Sequence, residues 1–275
     1  MLSVTLLASG SSGNCAVVKT DDAQVLVDAG TPYKTLAARM AYLGLEPADT
    51  AAILVTHEHT DHVSGLRVAA RRLDIPVYLS KGTDRKTAFT GDSHVVGADD
   101  PFTVRDLHVQ PLAASHDAEE PLAFAFRSGD SRAAILTDTG IATPAMHKVV
   151  RKAQFLALEA NHDEQVLMAG RYPAYLKQRI LSDEGHLSNA QAGCLLMESA
   201  SDALSGVTLA HLSEQNNTVQ LARETISHMI SHRNDVSLEL DVGQRHAVSR
   251  TAVIEDGCFS WQGALRTLPF LINRA

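Results

Sequence analysis

Residues 53–62 read ILVTHEHTDH, an apolar run followed at once by histidines and carboxylates. The apolar part has the length and the β-branched character of a buried β-strand. Three histidines and two carboxylates follow within six residues, from His57 to His62. Imidazole and carboxylate groups bind zinc, manganese and iron, and side chains placed where a strand ends converge on one cavity. The segment therefore predicts a metal site at the carboxyl end of a buried strand.

The spacing of these groups predicts that their side chains face two different ways. His57 and His59 are two residues apart, so in an extended segment they face the same way. Asp61 and His62 lie at the turn into a helix that begins near Ser64, where they can serve a second ion. The alternative is a solvated polar loop, but such a loop seldom contains five potential ligands in this order.

The rest of the sequence alternates strand-length apolar runs with segments of helical period. The predicted strands, besides 53–55, are Leu2–Leu7, Ala16–Val18, Val25–Val27, Ala134–Leu136 and Phe155–Leu158. The predicted helices are Thr35–Leu43, Gly65–Leu73, Ala174–Leu181, Ala190–Ala200 and Val219–Ile230. This pattern predicts a mixed α/β fold with helices outside sheets. No linker or repeat divides the chain, so residues 1–275 are expected to form one domain, with 250–275 left unassigned.

Composition excludes several classes of protein. The 275 residues are 45% hydrophobic and 20% charged, which indicates a buried core and excludes disordered and collagen-like chains. No apolar run approaches the roughly 20 residues that cross a bilayer. The net charge of −8 argues against broad non-specific affinity for nucleic acid, although a local cationic site can still bind phosphate. Three cysteines without CxxC spacing indicate no disulfide framework and favour a reducing cytoplasm.

The order His57, His59, Asp61, His62 matches HxHxDH, and the sequence resembles the metallo-β-lactamase-fold hydrolases over most of its length. That resemblance implies a four-layer αββα sandwich with two divalent ions, which are Zn, Mn or Fe. It implies one ion held by His57, His59 and His116 and the other by Asp61, His62 and His211. Asp138 would bridge the ions, and Asp28 would brace the ligand loop without touching metal. We expect activity to depend on Asp61 both as a ligand and as a catalytic group.

Further stretches resemble the YycJ/WalJ type, compact bacterial members of the fold that are grouped with exonucleases and phosphodiesterases. These stretches are residues 9–15, 158–163, 185–189 and 211–217. Glycine-rich turns expose backbone N–H groups, and Ser, Asn and His side chains can donate to phosphoryl oxygens. The candidate substrate contacts are Ser12, Asn14, Asn161, Ser188, Ser213 and Asn216.

Each of these stretches also has a structural interpretation. Ser188 with Gln191 is a capping-box pattern, and Ser213 with Asn216 could cap the following helix. The glycine-rich turn near the amino terminus could be a tight hairpin. We therefore keep both interpretations of these polar residues open.

His186 is the candidate for a catalytic histidine that does not bind metal. Histidine titrates near neutrality, so His186 could protonate the leaving oxygen or bind the phosphoryl group, or it could be purely structural. His162 is a candidate for the wall of the site. The remaining histidines are predicted to be surface or packing residues, namely His94, His108, His147, His228, His232 and His246.

The favoured function is a dinuclear phosphodiesterase that acts on DNA or RNA, resembling a 5′–3′ exonuclease. Two ions about 3.5–4 Å apart can share a water molecule and lower its pKa toward neutrality. The alternatives are a small-molecule cyclic phosphodiesterase and, with less support, a thioester or lactone hydrolase. A binding protein that keeps the metals without turnover is disfavoured, because the ligand set is complete. No membrane partner is expected.

Overall fold

The computed structural model describes residues 1–263 and 266–267, and within them two large β-sheets contain most of the apolar runs. The strands in chain order are β1 (Leu2–Ala8), β2 (Cys15–Lys19), β3 (Gln24–Val27), β4 (Ala52–Leu54), β5 (Val77–Leu79), β6 (Ser93–Val95), β7 (Phe102–Val104), β8 (Leu107–Ala113), β9 (Leu122–Ser128), β10 (Ser131–Leu136), β11 (Phe155–Glu159), β12 (Gly206–Ala210), β13 (Glu239–Val242), β14 (Ala247–Val248), β15 (Thr251–Glu255), β16 (Cys258–Gln262) and β17 (Arg266–Thr267).

Helices occupy the connections between strands. They are α1 (Tyr33–Tyr42), α2 (Thr60–Val63), α3 (Leu66–Leu73), α4 (Lys81–Thr87), α5 (Pro144–Val150), α6 (Glu164–Ala169), α7 (Ala174–Ile180), α8 (Asn189–Ser199) and α9 (Val219–Ile230), with a 3-10 turn at Pro47–Asp49. Among the described residues, none of these helices has the length and apolar character needed to cross a bilayer.

The first sheet has eight strands in the order β16-β15-β1-β2-β3-β4-β5-β6, and the second has seven in the order β13-β12-β11-β10-β9-β8-β7. Strands β3 to β6 are mutually parallel, as are β10 to β13. Strands β14 and β17 form a small antiparallel pair. Parallel strands bring their carboxyl ends to one edge of a sheet, and each sheet therefore has one edge where the following loops meet.

Three apolar layers hold the sheets and helices together. Leu54 and Phe124 belong to the cluster between the two sheets. The neighbouring Ile53 points the opposite way, into a second cluster with Leu36 of α1. Leu196 of α8 belongs to a third cluster, under α5, α8 and α9 on the outer face of the second sheet. This arrangement confirms the expected four-layer αββα sandwich.

The helix predictions are mostly close to the structure, and two local interpretations are settled. Ser188 caps α8 in a capping box with Gln191, as its pattern indicates. The suggestion that Ser213 caps the next helix is wrong, because Thr218 is the N-cap of α9 and accepts a hydrogen bond from the backbone N of Leu221. Ser213 instead closes a turn upstream of that helix, where its hydroxyl accepts from the N–H of Asn216 at 3.2 Å.

The carboxyl-terminal part and the cysteines complete the comparison with the sequence. Strands β15 and β16 account for much of the range 250–275 that the sequence left unassigned, while residues 264–265 and 268–275 lie outside the described residues. All three cysteines lie in the described part and are free thiols.

Candidate metal centre

Three residues of the site lie just after parallel strands and have left-handed backbone conformations. Asp28 follows β3 with φ 61°, Asp138 follows β10 with φ 57°, and His211 follows β12 with φ 55°. Left-handed backbone is uncommon for residues other than glycine, and Asp, Asn and His adopt it more readily than most. The chain thus turns sharply where each strand ends, and the side chains meet at one edge of the sandwich.

The HxHxDH segment is fixed by backbone contacts against the turn between β1 and β2 and the loop after β3. The N–H of Asn14 donates to the carbonyl of Asp61 at 2.8 Å, and the N–H of Ala29 donates to that of His62 at 2.9 Å. Gly30 allows this close approach, because a Cβ at that position would lie 1.6 Å from the Asp61 carbonyl oxygen. The start of α2, and with it the ligand side chains, is therefore positioned by main-chain packing.

His57, His59 and His116 form the first cluster. One ring nitrogen of each lies within 4.8 Å of one nitrogen of the others. His116 donates from Nδ1 to the carbonyl of Gly185 at 2.9 Å, which leaves Nε2 facing the cluster. A second partner of this kind fixes the tautomer of a metal-binding imidazole.

Asp61, His62 and His211 form the second cluster. The Asp61 Oδ2 atom lies 3.4 Å from Nε2 of both His62 and His211. His62 donates from Nδ1 to Asp28 Oδ2 at 2.7 Å, and Thr56 donates to the same carboxylate from its N–H and its hydroxyl. Asp28 thus orients His62 from behind, which is the geometry that bracing of the ligand loop requires.

Asp138 lies between the two clusters. Its Oδ2 is 3.3 Å from His62 Nε2, and its Oδ1 is 3.8 Å from His116 Nε2 and 3.4 Å from His211 Nδ1. The carboxylate therefore contacts residues of both groups, which is the place that a bridging ligand would occupy. Since the histidines of the two clusters come from both sheets, a pair of ions here would connect the two halves of the sandwich.

Glu159 is a fully buried residue of the site that our sequence interpretation missed. Its Oε1 lies 2.8 Å from His186 Nδ1 and 3.1 Å from His211 Nδ1, and its Oε2 accepts from the N–H of Thr139 at 3.0 Å. The overlooked signal is a glutamate at the carboxyl end of the apolar run 155–159, because buried carboxylates are rare unless paired. His186, the candidate catalytic histidine, is therefore held at the site by Glu159.

Burial and mutual contacts shift the ionisation of these groups in the metal-free protein. Burial alone would lower the pKa of His211, but Asp138, Asp61 and Glu159 outweigh it and raise this pKa to about 10. The pKa of His62 is likewise raised well above its ordinary value, against burial, by the carboxylates of Asp138 and Asp28. Protons on these imidazoles balance the clustered carboxylates when no cation does so.

Other groups of the site have lowered pKa values, because they lie near positive charge or lack a partner. Burial, with His62 and His116 close by, holds the pKa of His57 well below its ordinary value. The carboxyls of Asp61 and Glu159 also have lowered pKa values, despite burial, because the neighbouring imidazoles donate to them. At neutral pH His57 is therefore uncharged, and the carboxyls of Asp61 and Glu159 hold no proton. The protons that a metal would displace are those on His62 and His211.

Two buried polar atoms without hydrogen-bond partners indicate whether metal ions fit this site. His57 Nε2 and Asp138 Oδ2 are buried, and neither has a hydrogen-bond partner among the described residues. Buried polar atoms are nearly always paired, and a cation between these groups would satisfy both. Nitrogen and carboxylate donors without thiolates suit Zn, Mn and Fe. The residues present thus fit divalent metal ions.

The predicted substrate contacts divide into two groups. Asn14 Nδ2 lies 3.2 Å from Asp61 Oδ2 and 3.0 Å from His62 Nε2, directly at the second cluster. Asn161 donates to the His211 carbonyl at 2.9 Å. Together with His186 and Ser213, Asn161 lines a cavity of about 210 Å³ beside the clusters. Its other lining residues are Ser11, Asp117, Tyr172, Leu176, Arg179, Ile180 and Gly185.

The other predicted contacts lie elsewhere. Ser12 is exposed in the turn between β1 and β2. The buried Ser188 donates from its hydroxyl to Glu164 at 2.8 Å, and the buried Asn216 donates to the Ser213 hydroxyl at 3.3 Å. His162 is fully buried, without a partner for either ring nitrogen among the described residues, and does not line the cavity. The histidines predicted to be surface or packing residues lie outside all of these clusters.

Comparison with known proteins agrees with this fold. The beta-lactamase superfamily domain matches residues 23–207. The chain is 38% identical over 238 residues to Exodeoxyribonuclease YycJ of Bacillus anthracis, and the aligned region covers 84% of this chain and 90% of that protein. It is 36% identical over 235 residues to Exodeoxyribonuclease WalJ of Streptococcus pneumoniae, covering 82% and 87% respectively.

A solved structure supports the same fold. The metallo-beta-lactamase fold protein YhfI from Bacillus subtilis superposes with a TM-score of 0.69 at 16% identity, over 90% of this chain and 99% of that one. An αββα sandwich with histidine and carboxylate clusters at its strand ends defines a metal-dependent hydrolase of the metallo-β-lactamase fold. Within the beta-lactamase superfamily, the chain belongs to the YycJ/WalJ family.

Proposed function

We propose that this hydrolase is a nuclease, which cleaves phosphodiester bonds of DNA or RNA from a 5′ end with two divalent metal ions. The observation that supports it best is the pair of ligand clusters joined by Asp138 beside an open cavity. Relatives at 36–38% identity over most of the chain are named exodeoxyribonucleases, which supports a nucleic-acid substrate.

The ligand assignment follows from the two clusters. His57, His59 and His116 would hold one ion, and Asp61, His62 and His211 would hold the other, with Asp138 between them. When bound, two such ions lower the pKa of a shared water and polarise the phosphoryl oxygen under attack.

The other side chains of the cavity would bind and orient the substrate. His186 contacts Glu159 through Nδ1, so its Nε2 is free to donate to a phosphoryl or leaving oxygen. Arg179 is paired with Asp117 through Nε, which leaves the terminal nitrogens of its half-exposed guanidinium for a phosphate. Ser213 and Asn161 add neutral groups on the same wall. This lining suits an anionic diester better than an apolar ester.

A small phosphodiester is the second candidate, because the cavity of about 210 Å³ is small for a binding pocket. A cyclic phosphate could occupy it without a polynucleotide. Thioester or lactone hydrolysis has no comparable support in the polar lining. Free thiols at all three cysteines suit a reducing compartment, and we propose a cytoplasmic location.

The test is metal-dependent digestion of oligonucleotides labelled at one end or the other. Protein stripped by a chelator and reloaded with Mn or Zn should release mononucleotides from one end, and His59→Ala and Asp61→Ala should abolish this release. His228→Ala, an exposed histidine outside the clusters, serves as the matched control and should retain full activity. Turnover of cyclic phosphates alone would support the second candidate, and turnover of neither would refute the proposal.

A further inference from the structure

A basic groove lies on the outer face of the second sheet, at the end away from the metal centre. It has a volume of about 390 Å³ and is lined by His108, Arg127, Arg132, Lys148 and Lys152. The half-buried Ala125 and Val149 contribute apolar surface to the same groove. No acidic side chain lines it among the described residues.

The basic residues are neighbours because of strand register. Arg127 of β9 is paired with His108 of β8 on one side and with Arg132 of β10 on the other. Directly opposed side chains on adjacent strands have Cβ atoms about 4.5–5.5 Å apart, and like charges there destabilise the sheet. Lys148 and Lys152 are four residues apart along α5 and its end, which is also an unfavourable spacing for like charges.

These charges are not balanced by the protein itself. Within the part of the chain that the structure describes, none of the four lysines and arginines forms an ion pair, and the guanidinium of Arg132 donates only to the carbonyl of Asp130 at 2.9 Å. The chain as a whole has a net charge of −8, so acidic residues are plentiful elsewhere. A basic row kept free of acidic partners in an acidic protein has the charge pattern of a site for an external polyanion.

We propose that this groove is a second binding site for the phosphodiester backbone of a polynucleotide. The inference rests on the proposed nuclease function and names where the uncleaved part of the strand binds. Two arginines on adjacent strands suit phosphates, because a guanidinium binds phosphate oxygens with two parallel hydrogen bonds. The apolar surface between them accommodates sugar and base, which a purely anionic peptide would not use.

The position of the groove sets a length requirement. Arg132 is the second residue of β10, and Asp138 lies two residues beyond the end of that strand. Six residues of strand span about 20 Å at roughly 3.3 Å per residue. With a rise of about 3.4 Å per nucleotide, a strand bound at both sites needs about six nucleotides or more. Shorter substrates would use the metal centre alone.

The test compares a charge-reversed variant with a matched control. Arg127→Glu/Lys152→Glu removes cations of the groove, and Lys34→Glu/Arg72→Glu makes the same change at exposed positions in the opposite helical layer. Fluorescence anisotropy with a labelled 20-nucleotide strand should give at least a tenfold higher Kd for the groove variant than for the unmodified protein. The slope of log Kd against log salt concentration should be smaller by about 1.4 in the variant. Turnover of bis(p-nitrophenyl) phosphate should stay within twofold of the unmodified protein.

Additional measurements distinguish the possible explanations of a change in binding. The neutral variant Arg127→Gln/Lys152→Gln should weaken binding of the 20-nucleotide strand while melting at the same or a higher temperature, because like-charge repulsion is relieved. Unchanged binding, or an equal loss in the control variant, would overturn the proposal. Competition by polyglutamate as strong as by oligonucleotide would assign the groove to acidic peptides instead. Absence of any nucleolytic cleavage with groove-dependent binding intact would refute the nuclease function but not the groove.

Discussion

Replacing Asp138 by asparagine is the sharpest single perturbation of the metal centre. Asparagine keeps the size of the side chain and tolerates the left-handed backbone at this position, where φ is 57°. The variant should therefore fold while one negative charge is lost between the two ligand clusters. The carboxyl also lies 3.3–3.8 Å from nitrogens of four histidines, three of which belong to the two ligand clusters, so its loss affects both clusters.

Coulomb's law gives the magnitude. A unit positive charge at the position of one of these histidine nitrogens, 3.3–3.8 Å from a carboxylate oxygen of Asp138, gains about 4–5 kcal/mol at an effective dielectric constant of 20, and this sets the scale for a cation bound by the same nitrogens. At 1.36 kcal/mol for each factor of ten, neutralising Asp138 should weaken metal affinity by about three orders of magnitude. The loss should fall on both ions, or on the weaker ion first, since the carboxylate contacts residues of both clusters.

Competition with a chromophoric chelator measures the affinity, and elemental analysis after desalting measures the number of bound ions. Asp241→Asn is the matched control, because Asp241 is also a fully buried carboxylate but lies on β13 and accepts from the N–H of Arg250. The control should bind metal as the unmodified protein does. Retention of two ions by Asp138→Asn at unchanged affinity would refute the bridging assignment.

Three further outcomes are expected. His186→Asn should lower the turnover of phosphodiesters by about 10²–10⁴ at unchanged metal content, whereas undiminished turnover would make His186 structural. For protein kept metal-free by a chelator, the melting temperature should fall as pH rises from 6.5 toward 10. The reason is that the pKa of His211 is raised to about 10, so its imidazolium contacts are lost in that window. Metal-loaded protein should not show this fall, and identical pH profiles of the metal-free and metal-loaded protein would contradict the assignment. Phe124→Ala, between the sheets, should cost about 3–5 kcal/mol in urea unfolding, and a loss under 1 kcal/mol would contradict its place in the core.

The sequence predicted best what is local in the chain. The HxHxDH segment places its side chains together because a strand end and the next turn position them within a few residues. Helix α9 has the predicted bounds, and Ser188 caps α8, because period and capping are also local properties. His116, Asp138 and His211 are remote in sequence, and only the family resemblance connected them with the segment before the fold was known.

Features that depend on register or burial were not predictable in this way. Glu159 ends a strand whose other residues are apolar, and its contacts with His186 and His211 arise only when β11 packs between β10 and β12. The helix α4, which connects β5 to β6, was missed because its sequence is polar and short. The basic groove requires three strands in a particular register, which single-sequence patterns do not contain.

The left-handed turns at Asp28, Asp138 and His211 affect how this centre should be dissected. An alanine side chain at such a turn meets a steric penalty of about 1–2 kcal/mol before any chemistry is lost. An alanine survey of the centre would therefore confuse backbone misfit with a missing ligand at Asp138 and His211, and with a missing partner of His62 at Asp28. Asparagine keeps the turn accessible, so an asparagine survey would report on coordination and proton transfer alone.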